Sequence, residues 1–239
     1  MLVDKNYKTF KGMHAGGLVY INGKLHVPDT RKGKKVIYVF SLDKIKKIPK
    51  NKKSLFYNYK YVLQEERSYK VSIKPSFMSY DYDKNKVLIG EFNKCSNKHT
   101  DSLKCTLNKN NRLSWYTIGK ENKKLASCAP YFSEMQGAVS FKDPVSSQHF
   151  LFTTSSYGIK NESHLHITNI SSAECYTDGS GMTNYRELSY PPGLEDMHVS
   201  KDSKNVWMLT EFGPNEGSKN NRVVFTVKTE KLVSLSPLK

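Results

Sequence analysis

The chain has 239 residues, of which 38 are Lys or Arg and 22 are Asp or Glu, so its formal net charge is +16. It contains no run of about 18 apolar residues, which excludes a transmembrane helix. Its first residues also lack the apolar core of a signal peptide. Because 12% of the residues are aromatic and strands favour such side chains, we predict a single all-β domain over residues 1–239.

The first structural unit is expected to begin near residue 14. Residues 14–29, HAGGLVYINGKLHVPD, read as two short strands joined by Asn22-Gly23, which is a strong hairpin signal. A third strand is expected at 36–42 and a fourth within 59–66, so this unit is predicted to be a small antiparallel sheet.

The same order of strand, turn and stronger strand recurs near residues 76, 136 and 196. Third strands are expected at 112–118, 164–170 and 222–228, and Trp115 and Trp207 on these units are expected to pack between sheets. A period near 60 residues predicts a β-propeller of about four visible blades. The first 13 residues are predicted to supply the missing outer strand of the fourth blade. A five-bladed propeller that lacks its N-terminal blade and a β-sandwich are the alternatives.

Several short motifs, taken in order, resemble one family. They are His14-Ala15-Gly16-Gly17, Met135-Gln136-Gly137-Ala138, Ser155-Ser156-Tyr157-Gly158, and Glu195-Asp196 with Thr210-Glu211. They resemble the uncharacterised secreted proteins, common in actinobacteria, that are predicted to be β-propellers, and the likeness covers roughly residues 14–225. The resemblance implies a fold but no assigned reaction. Members of that family usually carry a signal peptide and a further N-terminal segment, and neither is expected in residues 1–13.

Equivalent positions of the four units are predicted to converge on the propeller axis. The first set, a ligand or channel ring, comprises His14, Ser76, Gln136, Glu195 and Asp196. A second ring, further from the axis, is predicted from Asp29, Glu91, Ser155, Tyr157 and Glu211. The opposing interpretation is that these polar side chains bind backbone groups and buried waters, or cap the turns that follow them.

A metal ion is one candidate occupant of the axis. Oxygen ligands from Gln136, Glu195 and Asp196 suit Ca²⁺ or Mg²⁺, and His14 adds a nitrogen for Zn²⁺ or Mn²⁺. The alternative function is therefore a metal-dependent hydrolase with its site at the axis. His164 and His166 also share one face of a strand, where they are expected to be exposed rather than to chelate a metal.

The preferred function is a non-enzymatic protein that binds an anionic partner through basic loops. The predicted polyanion patch comprises Arg31, Lys32, Lys34, Lys35, Lys46, Lys47, Lys50, Lys52 and Lys53. Its partner is expected to be a glycan or nucleic acid, with a protein ligand as the alternative. The sequence does not fix the oligomeric state.

Secretion or an extracellular location is predicted, with the cytoplasm as the alternative. Cys95 and Cys105 flank a polar loop, and a disulfide between them would leave Cys128 to pair with Cys175. The opposing interpretation is four reduced cysteines. The glycosylation sequons at Asn161 and Asn169 also favour secretion.

Overall fold

The computed structural model describes residues 1–13, 15–31, 33–93, 113–118, 124–128, 134–156, 162–170, 185–211 and 222–235. Strands make up most of these residues, which confirms the all-β class. A 3₁₀ helix, Lys50–Phe56, and one short α-helix, α1, Thr229–Val233, are the exceptions in this part of the chain. Among the described residues, no helix has the length and apolarity needed to cross a membrane.

Sixteen strands are assigned within the described ranges, and they form four sheets. Sheet 1 contains β1 (Leu2–Val3), β2 (Val19–Ile21), β3 (Lys24–Asp29), β4 (Val36–Lys47) and β5 (Tyr61–Lys70). Sheet 2 contains β6 (Phe77–Asp81), β7 (Lys86–Gly90), β8 (Leu113–Tyr116) and β9 (Lys124–Cys128). Sheet 3 contains β10 (Met135–Lys142), β11 (His149–Ser155), β12 (Ser163–Asn169) and β13 (Tyr185–Tyr190). Sheet 4 contains β14 (Leu194–Val199), β15 (Asn205–Thr210) and β16 (Val224–Lys228).

The strands of each sheet lie side by side in chain order, apart from β1 in sheet 1. Tight turns produce this arrangement. Asn22 and Gly23, between β2 and β3, have φ angles of 50° and 77°, which are the positive angles that a two-residue hairpin turn needs. Asn85 likewise has a φ of 54° in the turn between β6 and β7. The predicted hairpins, and the strand expected within 59–66, are therefore confirmed.

The N-terminal segment completes sheet 1, so the prediction that it adds a strand to the fourth unit was wrong. Strand β1 pairs in parallel with β5, with Leu2 opposite Leu63 and Val3 opposite Gln64. Val3 is fully buried there, in an apolar cluster with Ile48. Burial of Val3 favours this edge, whereas sheet 4 is followed by α1, whose Leu232 packs into the core.

Apolar clusters fill three of the spaces between sheets. Ile37 of sheet 1 packs with Met78 of sheet 2, and Phe77 of sheet 2 packs with Leu151 of sheet 3. A larger cluster, which includes Phe152 and Met197, joins sheets 3 and 4. Among the described residues, no apolar cluster joins sheet 4 to sheet 1.

The two tryptophans occupy different environments. Trp115 on β8 is 1% exposed and lies in the cluster between sheets 2 and 3, as predicted. Trp207 on β15 is 46% exposed, so the prediction that it packs between sheets was wrong. Its position is determined by the two-residue alternation of β15, in which Val206 and Met208 take the buried face.

The sheets approach one another at backbone distance near β2, β6, β10 and β14. A Cβ atom on Gly16, just before β2, would collide with the main-chain oxygen of Ser76, just before β6. A Cβ on Gly137 of β10 would lie 2.5 Å from the main-chain oxygen of Glu195 on β14. Real Cβ atoms do not come this close, so glycine is required at both positions because of space.

We predict that Gly16→Ala lowers the free energy of unfolding by about 3 kcal/mol, because the added methyl group meets backbone that cannot move cheaply. The matched control is Gly33→Ala. Gly33 has a φ of 76° and no atom within 4 Å of the added Cβ, so this change carries only a conformational cost of about 1 kcal/mol. Urea denaturation measures both values, and equal losses would show that Gly16 is not needed for close approach.

Candidate functional site

A cleft of about 860 Å³ lies at the outer part of sheet 1. Residues 7–11 form one wall, and the other comes from the end of β4, the 3₁₀ helix and the start of β5. Its apolar lining consists of Ile48, Pro49, Leu55, Phe56 and Val62. Ile48 and Val62 are each only 4% exposed, whereas Leu55 is 70% exposed. The cleft therefore has a buried apolar floor and an apolar side chain standing at its edge.

Lysines supply the charge of this cleft. They are Lys8, Lys11, Lys46, Lys47 and Lys52, and none of the described residues that line the cleft is acidic. The Lys46 ammonium donates a hydrogen bond to the Tyr7 hydroxyl and lies 5.1 Å from the centre of that ring. Tyr7 thus holds Lys46 without neutralising it, and the cleft keeps a positive rim.

The predicted polyanion patch divides into two parts. Lys46, Lys47, Lys50, Lys52 and Lys53 lie at the end of β4 and in the 3₁₀ helix, whereas Arg31, Lys34 and Lys35 precede the start of β4. Lys32 lies outside the described residues. Sequence reasoning missed Tyr7, Lys8 and Lys11, because only the pairing of β1 with β5 brings residues 7–11 to this surface.

The guanidinium of Arg31 forms an ion pair and a hydrogen bond within the protein. It binds the buried carboxylate of Asp29, with an Nη2 to Oδ2 distance of 2.6 Å, and also donates to the main-chain oxygen of Lys11 at 2.8 Å. Burial acts to raise the pKa of Asp29, but the hydrogen bonds from Arg31 hold it below its usual value. Asp29 also accepts the main-chain N–H of Arg31, so it caps the turn that follows β3.

The predicted axial residues lie at the start of their sheets. Ser76 is buried, while Gln136, Glu195 and Asp196 are partly exposed, and His14 lies outside the described residues. The side-chain amide of Gln136 donates to the main-chain oxygen of Ser156. The metal site predicted from His14, Gln136, Glu195 and Asp196 stays a prediction.

Asp196 joins sheet 4 to the segment before β2. One carboxylate oxygen accepts the main-chain N–H of Met197 at 2.9 Å, and the other would lie 2.6 Å from a Cβ on Gly17. Although Asp196 as a whole residue is partly exposed, its carboxyl group is buried. This burial, with the charge of Glu195 beside it, raises the pKa of Asp196 well above its usual value. Burial and the charge of Glu211 likewise raise the pKa of Glu195.

Members of the predicted second ring have separate surroundings. Glu91 accepts the main-chain N–H of Lys74 at 2.6 Å, so it binds a backbone group in the segment before β6. The main-chain N–H of Glu211 donates a hydrogen bond to the main-chain oxygen of Gly193 at 2.6 Å. Ser155 contacts a histidine, as described below, and Tyr157 lies outside the described residues.

Sheets 2 and 3 are linked by a buried polar network around Asp81. Its carboxylate accepts hydrogen bonds from Ser140, from Trp115 Nε1 at 3.3 Å, and from the main-chain N–H of Lys84 at 2.9 Å. His149 Nε2 lies 3.6 Å away. Burial acts to raise the pKa of Asp81, but hydrogen bonds from its neighbours hold it below its usual value.

Asp81, Asp83 and His149 are, within the described part of the chain, the one group of three metal-ligating side chains whose atoms lie within 4.8 Å of one another. Asp83 already accepts the main-chain N–H of Lys142 at 2.6 Å. The Lys84 ammonium lies 4.3 Å from the centre of the Trp115 ring and supplies a positive charge nearby. We therefore assign this group to joining sheets 2 and 3 rather than to metal binding.

A second polar cluster occupies one face of sheet 3. His166 Nε2 lies 2.9 Å from Ser155 Oγ, and the carboxylate of Glu187 lies 2.7 Å from His164 Nδ1 and 3.5 Å from His166 Nδ1. His166 is only 3% exposed, so the expectation of an exposed histidine pair was wrong. Burial, with the neighbouring His164, lowers the pKa of His166 to about 3.

Most of the predicted covalent features lie outside the described residues. These are Cys95, Cys105 and Cys175 and the sequon residue Asn161. Cys128 is in β9, where only the backbone is described. Asn169 is on β12, and its amide donates to the side chain of Gln148 at 2.9 Å. Disulfide pairing and glycosylation therefore stay predictions.

No family model and no curated protein matches this chain. Among solved structures, a hydrazine synthase of Kuenenia stuttgartiensis is similar at 9% identity and a TM-score of 0.41, over 90% of this chain and 52% of its own. The Dos1 propeller is similar at 9% identity and a TM-score of 0.40, over 89% of this chain and 48% of its own. A chain of the nidogen/laminin complex has 12% identity and a TM-score of 0.40, over 87% of this chain and 63% of its own. This chain spans about half the length of the first two.

We predict that Asp196→Asn stabilises the protein at neutral pH. A carboxyl group whose pKa is raised in the folded state stabilises that state at low pH and loses this contribution as the pH rises. Asparagine keeps an acceptor oxygen and removes the charge, so the melting temperature at pH 7.5 should rise by about 2–4 °C, with a smaller gain at pH 4. A fall at pH 7.5 would contradict this prediction and would show that the hydrogen bonds of the carboxylate with the main-chain N–H groups of Met197 and Leu18 outweigh the cost of burying its charge.

We also predict that His166 makes the fold sensitive to acid. Because its folded pKa lies near 3, the unfolded chain takes up a proton between about pH 6.5 and pH 3 that the folded protein does not. The contribution of His166 to the free energy of unfolding is complete above about pH 6.5. Below that pH it decreases by up to about 1.4 kcal/mol for each pH unit. His166→Gln should therefore lose less stability than the parent between pH 7.5 and 4.5 in urea denaturation. Between pH 7.5 and 9 the two proteins should differ by a constant amount, and parallel loss below pH 6.5 would contradict the assignment.

Proposed function

We propose that the protein is a non-enzymatic binding protein, secreted or held at the cell surface, that captures an anionic polymer on a lysine-rich surface of sheet 1. The observation that carries this proposal is the cleft whose rim bears five lysines and no acidic residue among those described. Positive charges that lack acidic neighbours attract a polyanion from a distance and release counterions when it binds.

The scaffold in this proposal is a four-bladed propeller. The support comes from four small sheets that approach closely near β2, β6, β10 and β14, with apolar clusters in the spaces between sheets 1 to 4. The contact of Asp196 with Gly17 supports closure between sheet 4 and sheet 1. A rigid scaffold of this kind presents its outer strands and loops at fixed positions, which suits recognition of an extended partner.

The proposed contact surface contains Lys8, Lys11, Lys46, Lys47, Lys50, Lys52 and Lys53. Three tyrosines follow the 3₁₀ helix in the chain, and they are between 52% and 69% exposed: Tyr57, Tyr59 and Tyr61. Arg31 is excluded from the contact surface since Asp29 occupies its guanidinium. Lys35 also donates to the main-chain oxygen of Ser72, and together with Lys34 it precedes β4, away from the 3₁₀ helix.

Heparin-agarose chromatography tests this proposal with two variants of equal charge. Lys47, Lys50 and Lys52 are replaced by Gln in the first variant, and Lys142, Lys201 and Lys204, which are exposed on sheets 3 and 4, in the second. The first variant should elute at clearly lower salt than the parent, because the contact lysines are lost. The second should elute with the parent, since its lysines lie elsewhere.

Equal shifts of both variants would show that net charge alone causes retention and would overturn the assignment of the surface. Binding of the parent that does not weaken with ionic strength would also overturn it, because release of counterions makes polyanion binding depend on salt.

A further inference from the structure

The cleft on sheet 1 combines two properties that a polyanion surface alone does not need. Its floor is apolar and concave, with Ile48 and Val62 buried beneath it, while Leu55 and Phe56 form part of its wall. Leu55 keeps 70% of its side chain exposed. Exposed apolar area next to a concave apolar floor is unfavourable in water, and an apolar ligand that covers it is stabilised by its burial.

The volume of the cleft, about 860 Å³, lies in the range of sites for small molecules. A sulfated or phosphorylated chain lying across the lysines has no apolar group to place in this space. A ligand with one anionic group and one apolar body matches both parts of the lining, because the body covers the floor while the lysines at the rim meet the charge.

We propose that this cleft binds a small amphiphilic anion, with an acyl or aryl body seated over Ile48 and Val62 and a carboxylate or phosphate held by Lys46, Lys47 and Lys52. The inference rests on the proposed function insofar as the same lysines serve both ligands. It goes further because the apolar lining selects the chemical class of the ligand. Lys46 is positioned for this role by its hydrogen bond to Tyr7.

Calorimetry with dodecanoate below its micellar concentration tests the inference. The informative variants are Leu55→Ser and Lys52→Gln, both at exposed positions where folding is not at risk. Each should weaken dodecanoate binding at least fivefold. The matched controls are Leu18→Ser, at a position 54% exposed outside the cleft, and Lys34→Gln, and neither should change the affinity.

Three outcomes would overturn the inference: no dodecanoate binding, equal affinity of the parent and the Leu55→Ser variant, or equal affinity for dodecanoate and dodecanol. Retention on vesicles of anionic phospholipid without binding of free dodecanoate would also overturn it, since the occupant would then be a membrane surface.

Heparin binding distinguishes failure of this inference from failure of the proposed function. Leu55→Ser should leave the salt at which heparin releases the protein unchanged, because a sulfated chain does not use the apolar floor. If the parent binds dodecanoate but does not bind heparin, the proposed function alone is overturned. Heparin binding without dodecanoate binding would overturn the inference alone.

Discussion

The fold depends on how closely its four sheets approach one another near β2, β6, β10 and β14. At Gly16 and Gly137 the backbone of one sheet lies where a Cβ atom of the next would have to be. This approach brings the apolar faces of consecutive sheets into contact, so that clusters such as that of Phe152 and Met197 exclude water. A single small twisted sheet cannot bury both of its faces, and packing against a neighbour solves that problem for each sheet in turn.

Polar residues between the sheets add specificity to this apolar packing. The Asp81 carboxylate accepts hydrogen bonds from groups of both sheet 2 and sheet 3. Thr154 of sheet 3 donates a hydrogen bond to the main-chain oxygen of Glu195 in sheet 4 at 2.8 Å. A buried polar group that lost its partner would be costly, so such contacts penalise other alignments of the sheets. The buried residues Asp81 and Thr154 thus have structural roles, whereas among the described residues the lysines that line the cleft form no ion pair, and Lys46 binds Tyr7.

Local sequence patterns were sufficient to predict the hairpins. Asn22-Gly23 specifies a turn with positive φ angles, and short apolar runs after the turns identify β7, β11 and β15. Long-range pairing was not predictable in the same way. Nothing local to residues 2–3 indicates that they pair in parallel with β5, and the cleft exists only because they do. His166 was misplaced for a related reason, since the alternation of a strand gives two faces but not which of them a neighbouring sheet covers.

Trp115 and Trp207 provide two distinct optical reporters within one chain. The indole of Trp115 is enclosed between sheets 2 and 3, beneath the ammonium of Lys84, whereas that of Trp207 is open to solvent on sheet 4. A soluble quencher therefore reaches the second indole in the folded protein and the first only after the sheets separate. Neither indole lines the cleft. Any change of tryptophan emission when a ligand occupies that cleft would accordingly report a rearrangement carried from sheet 1 through the rest of the molecule.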